Sequence, residues 1–170
     1  KAADTEKIIK SLKSNKGIYL VPAFTGLGAP YWEVNARGIL SGLTRDTGPK
    51  EIVRATVESV AYQTHDLFEA MKNDGLRPKI IKVDGGMVKN NWFSQFLADV
   101  VDIKVLRPKV DETTALGAAY MAGLQIGVYK SLKDISKNWQ VDKSFHPRMK
   151  STDRKNLIKG WNRAIKQTLS

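Results

Sequence analysis

Apolar residues recur along this chain with the period of a helix in some stretches and in short β-rich runs in others. From Pro49 to Met71, the residues Ile52, Val53, Val57, Val60, Ala61, Leu67, Phe68 and Met71 fall on one helical face. Pro49 stands at a favoured first-turn position and Gly75 lies beyond the end, which predicts a long amphipathic helix. A closing helix is predicted from Thr152 to Leu169, where Leu157, Trp161, Ile165 and Leu169 recur every four residues. Arg154, Lys155, Lys159, Arg163 and Lys166 spread over the rest of that helix's surface. Gly17 to Val21 is a short β-rich run that ends at Pro22, where a ladder donor is missing. Further along, the pattern alternates: strand Ile80 to Val83, helix Asn91 to Val101, strand Ile103 to Leu106, and a small-residue helix Thr113 to Leu124 ending near Gly127. Such alternation predicts an α/β fold with a largely parallel sheet covered by helices, and ligands at the carboxyl ends of the strands.

The opening segment, Lys1 to Lys16, carries Ile8, Ile9 and Leu12 at helical spacing and reads as the exposed end of a helix entered from upstream. The chain is therefore expected to begin inside a longer polypeptide. Two glycines and a proline punctuate the loop Phe24 to Trp32, whose aromatics Phe24, Tyr31 and Trp32 call for burial or a covering ligand.

Composition narrows the chemistry. A length of 170 residues with 42% hydrophobic content suits one domain with an ordinary core. The absence of cysteine excludes a disulfide framework and a thiolate zinc site, and leaves only His65 and His146 as imidazole donors. His65 has no metal-like spacing and His146 precedes Pro147 in a loop, so neither is a candidate catalyst. No apolar run approaches the ~20 residues that a membrane span needs, so a soluble cytoplasmic protein is expected. A formal charge of +11 favours phosphate-bearing ligands of any kind. The basic residues are dispersed and lack an aromatic-basic signature, which argues against a nucleic-acid-binding module.

The strongest local signal for a site is Val83-Asp84-Gly85-Gly86-Met87-Val88-Lys89-Asn90-Asn91, where a strand runs through two glycines into a helix. Consecutive glycines allow a sharp turn and close approach of a ligand to the backbone. The start of the following helix is expected to present unpaired N–H groups and a positive dipole end to an anion. Asn90 has both a donor and an acceptor for a purine edge, and its oxygen can equally cap the helix. Asp84 reads either as a carboxylate near Mg²⁺-bound water or as a residue serving its own turn, and the structural role is the expectation. For Thr113 to Ala119, close packing against a sheet is expected ahead of contact with a nucleotide.

Taken together these motifs resemble the carbohydrate kinases built like actin and hexokinase, and among them the glycerol kinases. The likeness is carried by Val21-Pro22-Ala23-Phe24-Thr25-Gly26-Leu27-Gly28-Ala29-Pro30-Tyr31-Trp32, Ala36-Arg37-Gly38 and Gly42-Leu43-Thr44-Arg45. It continues through Arg54 to Thr64, Val83-Asp84-Gly85-Gly86 and Thr113 to Tyr120, and runs from about Gly17 to Trp161. The resemblance implies an actin-like (ribonuclease H-like) ATPase domain with a mixed or parallel sheet flanked by helices. Residues 1–170 would then be the carboxy-terminal portion of its nucleotide-binding domain. It implies transfer of the ATP γ-phosphoryl group, with Mg²⁺, to glycerol, giving glycerol 3-phosphate. By motif, Gly86 would lie against the nucleotide phosphates and Asn90 would meet the adenine side, with Gly85 and Asp84 in support. Arg37 and the glycine-aromatic loop would be structural, near the cleft or subunit contacts, in an enzyme expected to be a homo-oligomer when complete. The substrate-reading residues, the general base and both phosphate hairpins would lie upstream, so this chain alone is expected to be inactive. A kinase of a related polyol or sugar, and an inactive fragment of a decayed gene, are the alternatives.

Overall fold

The computed structural model describes residues 4–110 and 112–170; Lys1, Ala2 and Ala3, at the head of the expected first helix, and Asp111 lie outside the described residues. The order is α1 (Thr5–Lys10), β1 (Tyr19–Val21), β2 (Ile39–Ser41), α2 (Pro49–Asn73), β3 (Ile80–Lys82) and a 3-10 turn (Gly86–Lys89). There follow α3 (Asn91–Val101), β4 (Lys104–Pro108), α4 (Thr113–Gln125), α5 (Leu132–Ser136), β5 (Val141–Phe145) and α6 (Ser151–Leu169). The architecture is α/β, with a mixed sheet flanked by helices.

Two sheets form. In one, β1 pairs antiparallel with β2, with Leu20 opposite Leu40. The other has the order β3-β4-β5. Here β3 and β4 are parallel, with Ile81 opposite Val105, while β5 returns antiparallel along the other side of β4. The expected largely parallel sheet is thus corrected, among the described residues, to a mixed sheet with one parallel and one antiparallel pairing. The strand that changes the count, β5, is exposed at every position but Phe145 and so carries no alternation that a periodic reading detects.

The frame is built around α2. Pro49 opens it, and the Gly48 N–H donates to the Glu51 carboxylate at 3.0 Å, closing the first turn. Its inner face is less apolar than expected: Ala55, Val57 and Ala61 are buried, but so are Glu58, Ser59 and Asp66, while Ile52 and Leu67 turn outward. Tyr62 anchors the core. Its ring stacks on Trp161 of α6 at 5.3 Å between centroids and meets Phe96 of α3 edge-on at 5.6 Å. Such aromatic pairs add about 0.5–1.5 kcal/mol each beyond the area they bury. On the other side α6 presses on β1 at Gly160, where a Cβ would collide with the Tyr19 ring and hydroxyl. Only a residue without a side chain lets these two elements approach so closely.

Two buried carboxylates of α2 tie distant segments together. Asp66 Oδ2 accepts from the Trp161 indole N–H at 2.7 Å and from the Tyr31 hydroxyl at 2.8 Å. The glycine-aromatic loop and α6 are thereby fixed to one oxygen. Burial, followed by this hydrogen bond, drives the Tyr31 phenol well above its ordinary value. Glu58, fully buried, accepts from Arg54 Nε at 2.7 Å and from Asn15 Nδ2 at 2.6 Å. Arg54 in turn donates to the Leu12 carbonyl at 2.9 Å and lies 5.1 Å from the Trp92 ring centroid.

Two expectations about helix packing change. The first helix is not merely an exposed end, because Ile9 is completely buried against the α2 and α3 side of the core. Conversely, α4 was expected to pack closely on a sheet, yet Gly123 is its one buried residue, and Ala115, Ala118, Ala119, Met121 and Ala122 are not buried. Tyr129 meets Tyr120 edge-on at 5.4 Å and closes over Gly123, but most of the small apolar residues of α4 remain exposed.

Because Glu58→Ala leaves the nearly buried Arg54 guanidinium and the Asn15 amide without their partner, it is expected to cost about 3–5 kcal/mol of folding stability. Urea unfolding of the variant and parent measures this, and a loss below about 1 kcal/mol would show that the pair contributes little to holding the segment before β1.

Candidate functional site

The Asp84 to Asn90 segment leaves the carboxyl end of β3, beside the parallel strand β4. The Val83 N–H still donates to the Leu106 carbonyl at 3.1 Å, so pairing persists to the edge of the turn. Gly85 then adopts φ +85° and ψ 176°, a region open essentially only to glycine. Gly86 starts the 3-10 turn without a positive φ. A Cβ built on either Gly85 or Gly86 meets nothing within 4 Å. The two glycines therefore have different reasons: Gly85 is required by the backbone, and Gly86 leaves open space in front of it.

The turn is braced from behind. Arg107 of β4 donates from Nη1 to the Val88 carbonyl at 2.8 Å and to the Lys89 carbonyl at 3.3 Å, and its guanidinium pairs with Asp142 at 2.6 Å. Ser94 Oγ donates to the same Val88 carbonyl at 3.0 Å. Asp84 accepts a hydrogen bond from the Thr113 hydroxyl, which links the turn to the start of α4. This favours the structural reading of Asp84. Among the described residues, no group of three or more His, Cys, Asp or Glu gathers as a metal site.

At the other end of the turn Asn90 caps α3, its Oδ1 accepting from the Phe93 N–H at 2.9 Å. Its Nδ2 lies 3.4 Å from the Thr5 hydroxyl oxygen of α1. The Asn91 N–H donates to the Glu6 carboxylate at 3.3 Å. Burial works to raise the Glu6 carboxyl, but Lys10 and the Asn91 and Trp92 N–H groups outweigh it and hold the carboxyl below its usual value. The expectation of open N–H groups at α3 is corrected here. Glu6 and Asn90, from within the chain, already occupy that helix terminus, and the open approach lies at the glycines instead.

Sequence reasoning placed Asp84, Gly85, Gly86 and Asn90 together, and the structure brings them into one turn. It missed Thr5, Glu6 and Arg107. Glu6 and Asn91 are 85 positions apart, and no local pattern connects them. Arg107 had one available signal, its place at the carboxyl end of a strand parallel to β3. Elsewhere, Arg37 donates to the carbonyls of Val34 and Ala36 and so braces its own loop. Of the three loop aromatics only Tyr31 finds a partner in the core; Phe24 and Trp32 remain about three-quarters exposed, at 75% and 76%. A wide groove of about 840 Å³ runs between α2 and α6, lined by His65, Arg154, Lys159 and Arg163 among others, and includes none of the Asp84 to Asn90 turn.

Comparison with known proteins bears on this geometry. Residues 2–126 match the C-terminal domain of the FGGY family of carbohydrate kinases. The chain is 55% identical over 170 residues to a glycerol kinase of Ectopseudomonas mendocina, covering 99% of this chain and 34% of the relative. It is 50% identical over 169 residues to a glycerol kinase of Clostridium botulinum, with the same coverage. It thus spans about a third of the length of the curated relatives it matches. Among solved structures, Plasmodium falciparum glycerol kinase with ADP superimposes with a TM-score of 0.86 at 34% identity, over 99% of this chain and 34% of that one. A ligand-bound xylulose kinase from Lactobacillus acidophilus superimposes at 0.78 and 23% identity, over 96% of this chain and 33% of that one, a likeness of fold alone. With a family match across most of its length, the chain belongs to the FGGY family of carbohydrate kinases.

Proposed function

We propose that this chain is the nucleotide-side portion of a glycerol kinase, which transfers the γ-phosphoryl group of ATP to glycerol to give glycerol 3-phosphate. The observation that carries the reading is the glycerol-kinase likeness across nearly the whole chain, together with a glycine turn whose front is open. Gly86 would let the nucleotide phosphates approach the backbone, Gly85 would set the turn, and Asn90 would face the base. Asp84 would act through Thr113, holding the turn against α4. Mg²⁺, when bound with ATP, would neutralise phosphate charge, and the residues here offer it no cluster of carboxylates. Its remaining ligands would come from the nucleotide, water and upstream segments.

Catalysis would need an amino-terminal portion that carries the substrate site, the general base and the phosphate hairpins. Two features support this reading. Strand β3 pairs only with β4 among the described residues, with Ile80 half exposed, and Ala115, Ala118, Ala119, Met121 and Ala122 of α4 are exposed. Both are surfaces that a larger domain would bury. We place the complete enzyme in the cytoplasm, as a homo-oligomer, in keeping with the resemblance; no helix among the described residues is long and apolar enough to cross a membrane. Glycerol is preferred over another polyol or sugar because the relatives with high identity are glycerol kinases.

Two tests follow. In the complete enzyme, Gly86→Val should abolish ADP binding with little change in melting temperature, since its side chain enters open space in the free protein. Gly85→Ala should instead cost about 1–3 kcal/mol of stability from backbone strain. Activity of Gly86→Val within a few-fold of the parent would defeat the close-approach argument. The second test compares this chain with and without its amino-terminal portion. Alone, having lost several charge-assisted contacts of about 1.5–3 kcal/mol each, it should bind ADP at roughly millimolar strength or weaker by calorimetry, with no glycerol-dependent ADP release. Joined to that portion it should regain both. Turnover of glycerol by the isolated chain would overturn the division of labour.

A further inference from the structure

The start of α1 meets the proposed base end of the nucleotide site from the opposite end of the chain. Asn90 has one acceptor and two amide hydrogens to place. Its acceptor is committed to the Phe93 N–H at 2.9 Å, and its Nδ2 is 3.4 Å from Thr5 Oγ1. One amide hydrogen is thus directed at Thr5, and the half-buried amide has a second to offer. Next to it, the Glu6 carboxylate accepts from the Asn91 N–H at 3.3 Å and pairs with Lys10 at 2.6 Å. A negative group already sits where the positive end of α3 would otherwise draw a phosphate. Ile9, completely buried, fixes α1 in this position.

We propose that Thr5 is a positioning residue for nucleotide recognition, orienting the Asn90 amide so that it presents a single donor to a ring-nitrogen acceptor of the base, while Glu6 keeps phosphate away from α3 and leaves it to the Gly85–Gly86 turn. The inference rests on the reading of Asn90 as the base-facing residue. Base and phosphate then bind at opposite ends of one short segment. The charge of Glu6 sets which end is which, and Thr5 sets the direction of the donor.

The test uses the complete enzyme and measures adenosine and ADP binding by calorimetry, with kcat and KM for ATP. Thr5→Val should weaken adenosine and ADP by the same factor, about three- to ten-fold for one hydrogen bond, and raise KM for ATP equally with kcat unchanged. Thr5→Ser should restore parental values. Asn90→Ser retains an oxygen for capping but has no amide, so in that background Thr5→Val should have no further effect. Parental binding by Thr5→Val, while Asn90→Ser weakens both ligands, would overturn the role of Thr5 and leave the reading of Asn90 intact. Unchanged adenosine binding by Asn90→Ser would defeat that underlying reading itself. A loss confined to ADP, or a loss of thermal stability that Thr5→Ser shares, would also overturn the proposal, by placing Thr5 on the phosphate side or in the packing of α1.

Discussion

A carboxylate removed from water has to be given hydrogen-bond donors, and two of those that α2 buries, Glu58 and Asp66, take theirs from distant segments. That requirement organises the molecule. Asp66 is supplied by Trp161 and Tyr31, so α6 and the glycine-aromatic loop must both come to α2. Glu58 is supplied by Arg54 and Asn15, which draws in the segment ahead of β1. The hydrophobic contacts around Tyr62 are the larger source of stability, but they are tolerant of direction. The donors are not, because an unpaired buried charge costs several kcal/mol.

This frame explains how a short turn can be held accurately without much contact of its own. Helix α3 packs on α2 through Phe96 and Tyr62, and α1 is wedged beside them by Ile9. The end of α3 is therefore fixed, and Asn90 with it. From the sheet side, Arg107 binds the carbonyls of Val88 and Lys89, so the 3-10 turn is clamped between a helix and a strand. The clamp faces backward and leaves the glycines open in front, the arrangement expected of a site that recognises a ligand through its main chain.

Much of this was legible in the sequence wherever one face of an element is apolar. The long helix α2, the closing helix α6 and the span of α3 all follow from four-residue spacing, caps and glycine stops. The Gly85–Gly86 turn was equally legible, since strand-to-glycine-to-helix punctuation is local. What escaped detection is non-local or polar. The burial of Glu58, Ser59 and Asp66 runs against a reading that counts only apolar positions. β2 is three residues long and β5 is mostly exposed, so neither leaves a periodic trace. The occupation of the α3 terminus by Glu6 depends on a tertiary contact. The small-residue helix α4 was misjudged as well: its composition suits close packing, yet most of its small residues are exposed.

In the proposed site, nucleotide would lie along the backbone from Gly85 to Asn90, with phosphate at the glycine end and base at the asparagine end. Amide hydrogen exchange in the complete enzyme, followed residue by residue with and without ADP, tests it most directly. ADP should slow exchange at Gly86 and Met87, adenosine alone should not, and the α3 amides of Asn91 and Phe93 should be protected in either case by Glu6 and Asn90. Exchange at Gly86 and Met87 unaffected by saturating ADP would contradict it.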